Sequence, residues 1–310
     1  MTHQKINNKF VDKKKIINSL YLSISIIFLF IFACFYSSEI KQYVTYGLSL
    51  CVEIIIPSVF PFMIFSDVLL SLAFISLNDV KSNNAYKALT FVCGFLCGFP
   101  IAAVISSKLY SCGIFNKRDC ESICALGSIP SLSFCVGGIG EGMLESKIAG
   151  IFIWLACLLS SLVVYFFHKQ SKQKIDICIN ITKQKYSFVD SVSRNAFGIL
   201  KVCAFITIFS VICGCVKRII NNDLLACIFM PFFEVSNACF LLSNQDLGIL
   251  KIPLIAFASA LSGASVFCQV MSVFDEVKPS KIRYIYLKIL QALISFIFAL
   301  IAILLLKSHR

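Results

Sequence analysis

The sequence has little charge, few histidines and no phosphate-binding loop. Charged residues make up 14% of the 310 residues against 58% that are hydrophobic, and the mean hydropathy is +0.87. Such a composition excludes an ordinary soluble domain. The three histidines lie in tails or connectors, so no histidine is available inside an apolar stretch for catalysis. We therefore predict a membrane protein that is not an enzyme and that needs no cofactor or metal. An energy-coupling ATPase would have to be a separate chain.

The sixteen cysteines lack the paired spacings of zinc or iron–sulfur sites. A free cysteine in an apolar helix behaves as a small hydrophobic residue. The sequence therefore predicts neither a disulfide framework nor a metal site. The nearest approaches to a motif are Cys93/Cys97, Cys120/Cys124 and Cys213/Cys215.

Apolar segments long enough to cross a bilayer follow one another along the chain. Four are nearly uninterrupted, at residues 16–36, 148–167, 196–216 and 284–306. Five others contain proline, glycine or polar residues, at residues 43–77, 88–113, 122–140, 224–243 and 252–274. We expect the chain to lie in the membrane through most of its length, with lipid as a partner.

The net charge of +12 comes mainly from connectors and tails. Five lysines precede the first apolar segment, and five more fill the connector at residues 168–187. Both regions are predicted to be cytoplasmic, because basic residues collect on that side of membrane proteins. The basic residues do not form a face with interleaved aromatic residues, so nucleic acid is not an expected partner. The first apolar segment is too long for a signal peptide and is predicted to remain as a helix.

Breaks in the apolar segments recur in two series. In the first half they fall at Gly98-Phe99-Pro100 and Ser128-Ile129-Pro130, and in the second half at residues 234–237 and 262–265. A long helix precedes each series and a plain span follows it, with offsets of about 134 to 144 residues between the halves. An ordinary kink remains the alternative for any single proline. The recurrence predicts a structural repeat with little sequence identity left.

Parity then predicts the relative orientation of the repeats. An even number of crossings must separate two cytoplasmic regions, although five apolar segments lie between the N-terminus and the connector. One segment in each half must therefore be re-entrant, and the two repeats must be inverted. The predicted fold is an all-α polytopic membrane protein with an N-terminal helix and two inverted repeats of broken and re-entrant helices. Its parts are a basic tail with the first helix (1–40), the first repeat (41–167), the cytoplasmic connector (168–187) and the second repeat (188–310).

The breaks are candidate binding positions because they expose helix ends inside the membrane. Pro100 at the start of a half-helix would leave the N–H groups of residues 101–103 free. Ser128, as a cap near Pro130 and Ser131, would form a second positive end, and residues 262–265 a third. Such ends suit a small polar or anionic solute better than a metal ion. The alternative is that each serine hydroxyl bonds back to its own helix.

Three acidic residues lie deep in apolar segments, where each costs about 2.5–3.5 kcal/mol on insertion scales. Glu53 lies four residues before Pro57, which suggests a local polar pocket and a coupling role. Asp67 fits a position near the interface. Glu234 is the better candidate for a substrate or proton site, because inverted symmetry would bring it to the first break. Glu53 and Glu234 are thus the candidate coupling residues. The predicted solute site comprises Gly98, Pro100, Ser128, Ser131, Glu234, Ser236, Asn237, Ser262, Gly263, Ser265 and Gln269.

The ordered set of motifs resembles the YlbJ family of sporulation integral membrane proteins. The resemblance covers about residues 43–275 and rests on five segments, at residues 47–62, 94–103, 128–131, 234–237 and 261–270. The chain departs from the family pattern at Phe99, where the family has tyrosine, and at Ser128-Ile129, where it tends to carry asparagine before the proline. This family belongs to the nucleoside recognition or Gate-domain group, whose Gate unit also occurs in bacterial ferrous-iron transporters. The resemblance implies the sporulation membranes of a spore-forming bacterium, a need in spore cortex formation and an undefined transport role.

Two functions from different classes follow. The first is a secondary transporter or permease for a small polar solute, with nucleoside-like compounds among the options. The second is a membrane scaffold that recruits cortex-building enzymes without transporting anything. A scaffold needs an exposed partner surface, and the connectors here are short, whereas two inverted sets of broken helices favour transport. A homo-oligomer is compatible with either function.

Overall fold

The structure is a computed structural model that describes residues 23, 27, 35–77, 83–168, 187–274 and 279–308. The chain divides into two compact units, Met1–Thr45 and Tyr46–Arg310. In the first unit, the described chain is helical from Ser37 onward. Most of the predicted first span at 16–36 and most of the predicted connector at 168–187 lie outside the described residues, so these two predictions stay predictions.

The described residues form helices and no strands. Wider π-helical turns at Cys51–Ile55 and Phe134–Glu141 lead into α2 and α6, and a short 3₁₀ turn at Gly248–Leu250 leads into α11. The α-helices are α1 (Ser37–Leu50), α2 (Ile56–Leu77), α3 (Asn83–Cys97), α4 (Ile101–Ser111), α5 (Lys117–Gly127), α6 (Gly142–Leu144), α7 (Lys147–Phe167), α8 (Phe188–Ile220), α9 (Asp223–Phe233), α10 (Val235–Ser243), α11 (Lys251–Leu261), α12 (Gly263–Met271) and α13 (Lys281–Ser308).

Five helical stretches of the described chain are long and apolar enough to cross a membrane. They are Ser37–Val68, Lys147–Phe167, Phe188–Ile220, Gly248–Met271 and Lys281–Leu306. The remaining helices, such as α4 and α9 with eleven residues each, are too short to cross alone. The prediction of an all-α polytopic membrane protein is confirmed.

Each half of the chain repeats the same order of elements. A long helix comes first, two broken helices follow, and a long helix ends the series. In the first half, α3 and α4 flank the break at Gly98–Pro100, while α5 ends at the break beginning with Ser128. In the second half, Glu234 separates α9 from α10 and Ser262 separates α11 from α12. The breaks therefore fall where the polar and proline-containing interruptions predicted them.

Equivalent long helices of the two halves pack against each other in antiparallel directions. Near the middle of the first long helix Cys51 Sγ lies 3.8 Å from the carbonyl oxygen of Cys203, and near its end Ser191 Oγ donates to Asp67 over 2.7 Å. A residue late in one helix thus meets a residue early in the other. The two halves also exchange contacts reciprocally, since α5 packs on α13 and α11 packs on α7. Antiparallel packing of this kind is what inverted repeats require.

The α7–α13 pair shows the same antiparallel order. Gln291 Nε2 donates to the carbonyl oxygen of Cys157 over 3.5 Å, and Arg283 Nη2 lies 2.7 Å from His168 Nε2. Partial burial and neighbouring arginines hold the pKa of His168 below its ordinary value, so the neutral ring can accept the guanidinium N–H. Arg283 also pairs with Glu121 of α5 over 3.3 Å. One ion pair and one hydrogen bond of Arg283 thus connect α5, the end of α7 and α13 at one end of the bundle.

Candidate functional site

A large cavity lies between elements of both repeats. Its volume is about 530 Å³, and its walls come from α2, α4, α8 and α12. Half-exposed Lys108 and Arg194 mark its open end, while Pro100 and buried Gln269 lie at its inner end. A cavity of this volume is within the range that holds small-molecule ligands. The inner end coincides with the first helix break.

A second, much smaller cavity lies on the other side of that break. Its volume is about 10 Å³, roughly the space of one water molecule. Gly98, Phe99 and Ser131 line it from the first repeat, and Glu234 and Ser236 line it from the second. The two cavities are neighbours, because Val202 lines both and the consecutive residues 99 and 100 face one each. The structure thus brings four residues of the predicted set, Gly98, Ser131, Glu234 and Ser236, to one small space, while Pro100 and Gln269 line the large cavity.

Glu234 is the cap of helix α10 as well as a wall of the small cavity. Its side chain is 1% exposed, and its Oε2 accepts hydrogen bonds from the backbone N–H and the side-chain amide of Asn237, at 2.7 and 2.8 Å. The same amide reaches Ser210 Oγ of α8 at 2.9 Å. A carboxylate is favourable at a helix N-terminus, because the free N–H groups and the helix dipole stabilise negative charge. Among the described residues no lysine or arginine lies within ion-pair distance of Glu234.

The first break is held by backbone contacts with the second break of its own repeat. Phe99 N donates to the carbonyl oxygen of Ile129 over 3.1 Å. Of the three N–H groups expected to be free, those of Ile101 and Ala103 bond to Gly98 and Pro100 of the break itself, at 3.1 and 3.0 Å. The positive helix end is therefore weaker than we predicted, because local turns satisfy most of its donors.

The serines at the breaks divide between the two alternatives. Ser128 Oγ donates to Cys124 O over 2.6 Å and Ser262 Oγ to Ser259 O over 3.0 Å, so each bonds back to the preceding helix and neither caps the next one. Ser131 is the cap in the first repeat, where its Oγ accepts from Phe134 N over 3.1 Å. Ser128, Ser262, Gly263 and Ser265 line neither of the two cavities. Their place in a solute site stays a prediction without geometric support.

The two other acidic candidates lie in different surroundings. Glu53 is exposed on the π-helical turn and lines neither cavity. Asp67 lies at the mouth of the large cavity, where its carboxylate is 2.8 Å from Arg194 Nη2 and 3.9 Å from Lys108 Nζ. The interfacial location predicted for Asp67 stays a prediction. The structure offers no link between Glu53 and the cavities.

Two lysines near these features were missed by the sequence reasoning. Lys201 of α8 lines the large cavity. Lys288 of α13 is 1% exposed, and its Nζ donates to the carbonyl oxygen of Ser128 over 2.7 Å and to Gln291 Oε1 over 3.0 Å. The spacing of Lys288, Gln291 and Ser295 on one face of an apolar helix was the available signal.

The site thus joins one open cavity, one helix break and one enclosed carboxylate within a membrane-spanning bundle. The cavity walls come from both repeats, so the site exists only when the repeats pack together. Comparison of the chain with protein-family models, with curated proteins and with solved structures finds no match.

Proposed function

We propose that the protein is a secondary transporter or permease for a small polar solute, which passes through the large cavity and the first break toward Glu234. One observation carries the proposal: two antiparallel repeats of broken helices enclose neighbouring cavities at their interface. Secondary transporters commonly have this construction, with the substrate near the repeat interface. No energy-providing domain is required, since an ion or solute gradient drives such a protein.

The two faces of the site differ as one state of an alternating-access cycle would. The large cavity lies between α2, the first part of α8, α4 and α12. The equivalent region under the repeat relation is filled by directly packed side chains and contains no such cavity among the described residues. There, the rings of Tyr46 and Phe240 are 5.8 Å apart, Asn237 bonds to Ser210, and α10 packs on α6. The bundle is therefore open on one side of the break and closed on the other.

Glu234 is the residue that we assign to coupling or solute binding. A carboxylate enclosed beside a cavity can accept a bond from a solute hydroxyl or take up a proton. The Ser236 hydroxyl lies beside it without a hydrogen bond of normal geometry and is a second polar group for a solute. A scaffold would use neither the cavities nor the enclosed carboxylate.

The biological setting that we propose is spore cortex formation, and its support is the resemblance of the ordered motifs to the YlbJ family. Deletion of the gene in a spore-forming host that carries it should give spores with a defective cortex. Complementation by the wild-type gene should restore the cortex. Normal cortex in the deletion strain would contradict this setting, although it would leave the transport proposal intact.

Solute uptake into proteoliposomes tests the transport proposal directly. Purified protein would be reconstituted and offered nucleosides, sugars, amino acids and small organic anions, each with and without a proton or sodium gradient. We expect at least one class to enter faster than into protein-free liposomes. Uptake that matches protein-free liposomes for every class, with folded protein in the membrane, would contradict transport and favour the scaffold.

Asp67→Asn is expected to have a mild effect on that uptake. Asp67 lies at the cavity mouth in a partly exposed ion pair, and such pairs contribute about 0–1 kcal/mol, so the rate should fall by no more than about fivefold. Asparagine can still accept the hydrogen bond from Ser191. Complete loss of uptake would show that the carboxylate acts on the solute itself.

A further inference from the structure

We infer that the large cavity recognises a small anionic solute, carrying a carboxylate or phosphate group, through Lys201 with the help of Lys108 and Arg194. The inference rests on the proposed function, since it names the class of solute that would be transported. It is supported by the charge balance of the cavity wall, by the position of Lys201 and by a buried polar group at the inner end.

The charges on the cavity wall do not balance. Three cationic residues, Lys108, Arg194 and Lys201, line the cavity with one carboxylate, Asp67. Asp67 is engaged at the mouth by Arg194 at 2.8 Å and Lys108 at 3.9 Å. The wall therefore carries an excess of two positive charges. A cavity with low-dielectric walls and charge of one sign concentrates solutes of the opposite sign.

Lys201 is an exposed residue of the cavity wall that lies on α8 seven residues beyond Arg194. It lies about 20 Å from the first residue of α8, a helix about 50 Å long at 1.5 Å per residue. The neighbouring residues in this part of α8 are mainly apolar, and Lys201 makes no ion pair with a described residue. A charged residue inside a membrane span is costly and usually faces a water-filled pathway. An unpaired ammonium on this wall is available to an anionic solute.

Gln269 supplies a polar group for the same solute at the inner end. Its side chain is 2% exposed, its Nε2 donates to Ser265 Oγ over 3.3 Å, and its Oε1 is buried without a partner. A buried amide oxygen without a donor is unfavourable, so a ligand or water that reaches this end of the cavity gains a bond. A solute with an anionic group toward Lys201 and a hydroxyl or N–H toward Gln269 satisfies both residues.

The charge preference of the cavity can be measured without knowing the solute. A single cysteine would replace Val104, which lines the cavity, in a variant without native cysteines. Two methanethiosulfonate reagents would be compared in detergent and at low salt. One is the anionic 2-sulfonatoethyl methanethiosulfonate, and the other is the cationic 2-(trimethylammonium)ethyl methanethiosulfonate. The rate at which each modifies the cysteine would be measured. We expect the anionic-to-cationic rate ratio to exceed the ratio for free 2-mercaptoethanol by about tenfold or more, and to fall in 1 M salt.

Lys201→Gln in the same background should lower that ratio by about fivefold, because it removes one positive charge from the wall of the cavity that residue 104 also lines. The matched control is Lys147→Gln, which removes an exposed lysine outside the cavity and should leave the ratio unchanged. A ratio close to that of 2-mercaptoethanol, or one that Lys201→Gln does not lower, would overturn the inference.

Uptake separates this inference from the proposed function. Proteoliposomes would be offered inorganic phosphate and succinate as anions, with uridine as the neutral comparison. Uptake of an anion that Lys201→Gln reduces would support both proposals. Uptake of uridine alone would overturn the anion inference and leave transport standing. If cysteine modification shows a preference for anions but no solute is taken up, the transport proposal is overturned. The inferred charge selectivity of the cavity would then still stand.

Discussion

Glu234→Gln is expected to reduce solute uptake to the level of protein-free liposomes while the protein still inserts and accumulates. Glutamine keeps the shape of the side chain and its Oε1 can still accept from Asn237 N, so α10 remains capped. The lost charge should lower the free energy of unfolding by only about 0.5–2 kcal/mol. The glutamine can neither carry a negative charge at the small cavity nor take up a proton there. Uptake in proteoliposomes and thermal unfolding in detergent would be measured on the same preparation.

The matched control is Glu141→Gln, which removes an exposed carboxylate that is paired with Lys147 over 3.4 Å. It should leave both uptake and unfolding temperature near the wild-type values, because an exposed ion pair contributes little. Glu234→Asp keeps the charge and should retain part of the uptake. If Glu234→Gln transports as well as the wild type, Glu234 is a helix cap only and the proposed site is wrong.

Gly98→Ala is expected to prevent folding of the first break and, with it, accumulation of the protein. Gly98 has a φ of +80°, and a Cβ atom there would lie 2.6 Å from the backbone N of Ser131. The left-handed conformation costs a residue with a Cβ roughly 1–2 kcal/mol, and the clash with a backbone atom adds about 1–3 kcal/mol. The two costs total about 2–5 kcal/mol, and the upper value equals the whole free energy of unfolding of a marginally stable protein. The folded yield would be measured by size-exclusion chromatography in detergent.

Gly113→Ala isolates the contribution of the contact between the two breaks. Gly113 has a similar φ of +72°, but nothing lies within 4 Å of its Cβ position. In this variant only the backbone strain destabilises the folded state. We therefore expect folded protein to be recovered, in reduced amount. Equal yields from Gly98→Ala and Gly113→Ala would show that the close approach of the breaks is not needed for folding.

The positions of the helix breaks could be predicted because proline and polar residues interrupt apolar runs wherever a helix ends inside a membrane. Pro100 and Ser262 mark such places in the sequence, and the structure has breaks at both. The inverted order is inferred from the basic connectors and stays a prediction. Both inferences use the depth of a residue in the membrane, which hydropathy reports well.

The direction in which a side chain faces could not be predicted in the same way. Glu53 and Glu234 both lie deep in apolar segments, yet one is exposed and the other is a buried helix cap. Lipid and the protein interior are both apolar, so hydropathy does not distinguish the two faces of a membrane helix. For the same reason, the sequence does not distinguish a lysine that lines a cavity, such as Lys201, from a lysine that merely interrupts an apolar span.

The polar face of α13 has a consequence for how the protein is made. Lys288 donates to Ser128 O, Gln291 to Cys157 O and Ser295 to Ala256 O, at 2.7, 3.5 and 3.3 Å. All three acceptors leave the ribosome before α13 does. A helix that carries a lysine, a glutamine and a serine on one face is costly to release alone into lipid. We expect α13 to leave the translocon directly onto a bundle that is already assembled, so that the order of synthesis is also the order of packing.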